Sequence, residues 1–182
     1  MSAPPAVAPR PLLIGESNPY GADPEFALFP RPQGCAGERL CRMVFGLHEE
    51  TYFAAFDRVN LLEGGAWLAR RARLAARERC DRFPLGQVAV LCGVKVATAF
   101  RAADPALALI PATAMISPGR HQANGWTAIV LPHPSGLCRR WHEPGIIARC
   151  REVLREVLLG VPFGEADAAR RPPAASAARE EC

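Results

Sequence analysis

Lysine is nearly missing from this chain: Lys95 is the only one, and the rest of its 22 basic residues are arginine. Guanidinium forks suit phosphates, so a formal charge of +4 permits an anionic partner without requiring one. No apolar run approaches the roughly 20 residues that a membrane-spanning helix needs. The opening MSAPPAVAPR lacks the apolar stretch of a secretory signal. Together these absences lead us to expect a cytoplasmic protein without a membrane partner. The seven cysteines are odd in number and none forms a CxxC pair, which argues against a metal or disulfide framework and for reduced thiols. Cys92 and Cys150 lie in apolar patterns, where a thiol packs as a small hydrophobe. A phosphate loop of the GxxxxGK type is also lacking, which counts against an ordinary nucleotide-binding α/β domain.

What is present is a chain of 182 residues, 49% apolar, enough for one domain with a substantial core. We expect residues 1–10 and the Ala/Pro/Arg-rich 164–182 to be disordered, because they offer little to bury, and residues 11–163 to fold as a single domain. Within it, Leu12 to Gly15 reads as a buried strand, and a Pro/Gly loop leads to a helix at about 38–47. FDRVNLL is a second strand, 66–79 a helix, GQVAVLCG a third strand running into a helix near 94–101, and WTAIVLP a fourth strand. Ile146, Ile147, Cys150, Val153, Leu154, Val157 and Leu158 mark the apolar stripe of a closing helix. Arg70, Arg73 and Arg77 share one helix face and read as solvated.

Alternating strands and helices, with strands apolar on both sides, predict an α/β fold with a parallel sheet covered by helices on each face. In such sheets ligands bind outside the carboxyl ends of the strands. The rule points to the loops after Gly15, after Asn60 and after Leu131. The first reads GESNPYG, the last LPHPSGLCRRW, where two prolines stiffen the backbone around His133.

The pair GESNPYG and HPSGL, with VAVLCGVKVATAF between them, resembles the uracil-DNA glycosylase superfamily. The resemblance spans about Leu12 to Leu159. It implies a three-layer α/β/α sandwich with a central four-stranded parallel sheet, and the two motifs facing each other across one cleft. It further implies hydrolysis of the N-glycosidic bond of uracil in DNA, leaving an abasic site, as in base excision repair. No metal or other cofactor is implied, and a monomer is expected, with uracil-containing DNA, single- or double-stranded, as its partner. The iron-sulfur branch carries a cysteine pair ahead of its first motif; no cysteine precedes Cys35 here, so no cluster is expected.

The first motif leaves two residues for handling water, and the resemblance favours Asn18, because the Asn-Pro-Tyr-Gly run around it is also similar to the Asp-Pro-Tyr of the GQDPYHG branch. Asn18 precedes the proline like the Asn of GINPG in the mismatch-specific branch, and Glu16 follows the glycine like the Glu of GEAPG in the iron-sulfur branch. An amide can orient water but cannot take its proton, whereas Glu16 can serve as the base. The resemblance assigns Gly15, Ser17 and Pro19 to the substrate loop and Tyr20 to the guard beside uracil C5. Phe29, with Phe26 as its rival, would stack on the extruded base. Asn60 would read the base by accepting from N3–H and donating to O4. His133 would donate to O2 of the leaving base as charge develops there. In the second motif Leu137 would wedge into the duplex, Ser135 and Gly136 would hold a phosphate, and Arg139 and Arg140 would stand at the rim. A glycosylase for another deaminated or modified base, or a DNA-binding protein with this fold but no turnover, fits the same residues.

Overall fold

The computed structural model describes residues 9–17 and 23–158. Five strands form one mostly parallel sheet: β1 (Leu12–Ser17), β2 (Asp57–Leu62), β3 (Val88–Cys92), β4 (Gly119–Gln122) and β5 (Thr127–Leu131), in the order β2-β1-β3-β5-β4. The first four in that order are parallel, with Leu12 beside Asp57 and Ala89, and Cys92 beside Leu131. They match the four strands read from the apolar runs. The sheet is nevertheless five-stranded and mixed, because β4 adds antiparallel to β5 with Gly119 opposite Val130. Its sequence, GRHQ, is short and polar, and so leaves no apolar run to read.

The helices among the described residues are α1 (Ala36–Glu38), which continues as a π-helical stretch over Arg39–Val44, α2 (Glu49–Ala55), α3 (Ala69–Cys80), α4 (Val94–Ala103), α5 (Pro105–Ala108) and α6 (Ile146–Val157). None is long and apolar enough to cross a membrane.

Alternation along the strands divides the core in two. Leu13, Val90, Cys92, Ile129 and Leu131 point into one cluster, closed by Phe45, Tyr52 and Phe56 and by Cys150 and Leu154 of α6. Ile14, Ala89, Leu91, Ala128 and Val130 point into the other, closed by Ala72 and Ala76 of α3 and by Val96 and Phe100 of α4. Each face of the sheet therefore buries an apolar surface under helices, as strands apolar on both sides require.

A buried polar node ties the second cluster together. Asp104 accepts from the backbone N–H groups of Ala106 (2.8 Å) and Leu107 (3.2 Å), capping α5, and from the indole N–H of Trp126 at 2.9 Å. At the start of the domain, Arg10, placed by its sequence in the unstructured lead-in, is fastened instead. Its guanidinium donates to the carbonyls of Phe53 and Phe56 and pairs with Asp57 at 3.2 Å. Of the two expected disordered ends, residues 1–8 and 164–182 lie outside the described residues.

The six described cysteines are all free thiols, and Cys92 and Cys150 are fully buried, as their apolar surroundings predict. Burial pushes Cys41 up to about 11 and Cys80, Cys92 and Cys150 up to about 12. These four stay protonated at neutral pH and are poor nucleophiles.

Strand order fixes where a ligand fits. From β1 the chain moves outward to β2, then crosses to the other side of β1 to build β3. This reversal opens a crevice between the carboxyl ends of β1 and β3, the topological switch point of an open α/β sheet.

Candidate active site

Glu16 lies at that switch point. The apolar run ends at Gly15, but β1 continues through Glu16 and Ser17, with Gly15 beside Asn60 and Ser17 beside Leu62. Glu16 is thus held by the sheet and not by a turn, as the sequence had suggested. One of its oxygens, Oε2, accepts from Lys95 Nζ at 3.0 Å. The other, Oε1, lies 3.7 Å from Nε2 of His133. That separation is too long for a direct hydrogen bond, so both atoms remain available to a third group placed between them.

His133 comes from the loop after β5. Its flanking residues Pro132 and Pro134 are buried, and its carbonyl accepts from the Trp141 indole at 2.7 Å, so the loop is pinned on both sides. Nδ1 accepts from the backbone N–H of Ser135 at 3.2 Å. In the neutral ring this bond puts the proton on Nε2, facing Glu16. Burial lowers the His133 pKa below the ordinary 6.5; Glu16 opposes that shift and Lys95 reinforces it. At neutral pH the imidazole is an uncharged donor.

Gly93 makes this approach possible. It joins β3 to α4 at φ 106°, and its N–H donates to Leu131 O at 2.9 Å. A Cβ here would come within 2.9 Å of His133 Cδ2 and 3.3 Å of Glu16 Oε1. Only glycine combines that backbone with that space.

Gly15 plays a similar part beside Asn60, whose Oδ1 would lie 2.4 Å from an added Cβ. The half-buried Asn60 sits inside β2, which runs on to Leu62, and not at its end as its sequence suggests. Leu28 also covers Gly15, with its Cδ2 3.2 Å from the same position. Its backbone is held in the left-handed region, φ 49°, by Tyr52, which donates to its carbonyl at 3.2 Å, and by Arg58, which donates to the carbonyl of Ala27 at 2.9 Å. Leu28 was not legible as a site residue.

The other expected residues divide as follows. Asn18, Pro19 and Tyr20 lie outside the described residues. Phe29 packs against Phe26 (5.8 Å between ring centres) and Phe53 (5.5 Å), under the guanidinium of Arg58. Phe26 is the more exposed of the two. Leu137 is 93% exposed at the tip of its loop, beside exposed Gly136 and half-buried Ser135. Arg139 is exposed, while Arg140 is engaged by the carbonyl of Ile116 and the carboxylate of Glu143.

Besides Leu28, two further contributors escaped sequence reasoning. Lys95 holds Glu16 from the first turn of α4, and the available signal was its being the only lysine, three residues past a strand end. Arg39 lies over the Trp141 ring at 5.9 Å and donates to Ser135 O at 3.4 Å, bracing the His133 loop from the π-helical stretch.

Compared with protein-family models, curated proteins and solved structures, the chain matches none of them.

Proposed function

We propose that this protein is a DNA glycosylase that hydrolyses the N-glycosidic bond of uracil in DNA. The observation carrying this reading is Glu16 Oε1 set 3.7 Å from the neutral Nε2–H of His133, at the switch point of the sheet. A carboxylate and an uncharged donor facing one another fit a reaction that activates water at one end of a breaking bond and stabilises an anion at the other. Helices on both sheet faces, with Glu16 and His133 at one edge, support the sandwich architecture that the glycosylase resemblance implies.

In this reading the target nucleotide is extruded from its strand, at a cost of a few kcal/mol of stacking. The bond from C1′ to N1 breaks and its electron pair leaves with the base. His133 Nε2–H donates to O2, where that charge gathers. Glu16 orients a water toward C1′ and takes its proton as the new C1′–O bond forms, while Lys95, 3.0 Å from the other carboxylate oxygen, holds it in place. Asn18 is the second water-handling candidate. Asn60 supplies the amide that reads N3–H and O4, with Tyr20 and Phe29 shaping the pocket.

The test is incubation of the purified protein with single-stranded and U:G duplex oligonucleotides, followed by alkali, beside substrates containing hypoxanthine, xanthine and hydroxymethyluracil. Uracil strands are expected to become alkali-labile. His133→Ala should lower the rate by about 10²- to 10³-fold, and Glu16→Gln by about 10²- to 10⁴-fold. Asn18→Ala measures the share of water positioning that the amide carries. Cleavage of another base in preference to uracil would reassign the substrate, and binding without alkali-labile sites on any substrate would overturn the enzyme assignment.

A further inference from the structure

Beside the Glu16–His133 pair, and not part of it, a cleft of about 170 Å³ opens between the start of α3 and the first turns of α4. Trp67, Arg73, Val94, Lys95 and Thr98 line it. The volume is below that of pockets that engulf a whole drug-sized ligand, so it suits a single small unit, one flat ring with its phosphate at the open rim. Its lining carries two cations and a hydroxyl but no carboxylate of its own. Arg73 makes no ion pair with any described residue.

Trp67 differs from the other two tryptophans. Trp126 and Trp141 are 1% and 6% exposed, whereas Trp67 packs against the core while remaining partly open to the cleft. Lys95 borders both places, with Nζ 5.7 Å from the Trp67 ring centre and 3.0 Å from Glu16 Oε2. Cleft and carboxylate are therefore immediate neighbours, separated by one side chain.

We infer that this cleft seats an unpaired nucleotide flanking the one being processed, with its base on the Trp67 indole and its phosphate between Arg73, Lys95 and Thr98. The inference rests on the glycosylase reading for the identity of the strand. An aromatic face beside cations is the recurring platform for single-stranded nucleic acid, and it accepts any base because every base has a π-face. A base inside a duplex is already stacked on both sides and cannot use the indole, so the cleft selects single-stranded or locally opened DNA.

The experiment uses a uracil-free, fluorescein-labelled single-stranded oligonucleotide, its duplex, and the full-length protein. Fluorescence anisotropy gives affinity, and intrinsic tryptophan emission reports on Trp67, the accessible indole. The single strand should quench emission and the duplex should not. Trp67→Ala should weaken single-strand binding by about 5- to 150-fold, whereas Trp67→Phe, which keeps a ring, should bind nearly as wild type with the quenching lost. Arg73→Ala, at an exposed position, should lower the slope of log affinity against log salt by about 0.7. Wild-type affinity in both Trp67→Ala and Arg73→Ala, or equal quenching by the duplex, would overturn the inference. Since no bond is broken, the outcome is separable from turnover. A protein that holds single strands through Trp67 yet releases no base loses the glycosylase assignment alone, and one that releases uracil while ignoring both substitutions loses the flanking site alone.

Discussion

At the scale of single residues, the proposed chemistry turns on the charge of His133. Burial strips the imidazolium of its hydration and Lys95 repels it, and the attraction of Glu16 does not restore the balance. The sign follows directly. The unfolded chain binds a proton near pH 6.5 that the folded chain takes up only at lower pH, so this group favours folding fully above 6.5, and the contribution fades as pH falls through the lower folded value. The ring should therefore titrate below 6.5 when its resonances are followed by NMR. Lys95→Ala, which removes a neighbour lowering the pKa, should move the midpoint up. Glu16→Gln, which removes the neighbour raising it, should move it further down. A midpoint above 6.5 in the wild type would mean that Glu16 dominates and that the resting donor is charged, against the neutral role assigned to it.

At the scale of elements, the junction from β3 to α4 decides whether the site can form. Gly93 is at φ 106° with His133 and Glu16 against the position of its absent side chain. Gly86, ahead of the same strand at φ 81°, has nothing within 4 Å of the equivalent position. Alanine at either should lose about 1–3 kcal/mol of stability to backbone strain, measurable as a lower urea midpoint with unchanged slope. Only Gly93→Ala should also displace the His133 ring, and so lower base release in excess of the stability loss. Equal activity in the two variants would separate the glycine from the site. The same junction shows what apolar patterning can reveal. The strand, the glycine and the helix were readable from VAVLCGVKVATAF because Ala89, Leu91, Val96 and Phe100 repeat at strand and helix spacing into one core. The ion pair it carries was not, since Lys95 and Glu16 are 79 residues apart and a contact between exposed or edge side chains imposes no periodicity. For a related reason the sequence reading ended β1 early. Glu16 and Ser17 are polar because the sheet ends there, at its ligand edge, although the backbone pairing continues to Leu62.

At the scale of the whole molecule, four parallel strands and the helices α3, α4 and α6 were legible because each buries one regular stripe, whereas β4 and the short α2 and α5 are placed by tertiary packing and not by local pattern. What the assembled fold adds is direction: Glu16, Asn60, Lys95 and His133 lie toward the carboxyl ends of their strands or just beyond, and the loop after His133 projects Leu137 outward. A leucine 93% exposed contributes almost nothing to the core, so Leu137→Ala should leave thermal stability within about 0.5 kcal/mol of wild type. Its cost should appear only where a stacked base pair has to be opened. In a duplex the extruded nucleotide leaves a gap whose collapse competes with capture, and an apolar side chain filling the gap holds the duplex open. A single strand has no such competitor. Under the proposed glycosylase function, Leu137→Ala is therefore expected to slow uracil release from U:G duplex by about tenfold or more, consistent with a few kcal/mol of unstacking, while leaving release from the single strand within about twofold. Equal losses on the two substrates would place Leu137 in the pocket and not in the opened helix, and no loss on either would leave its exposure without a role in catalysis.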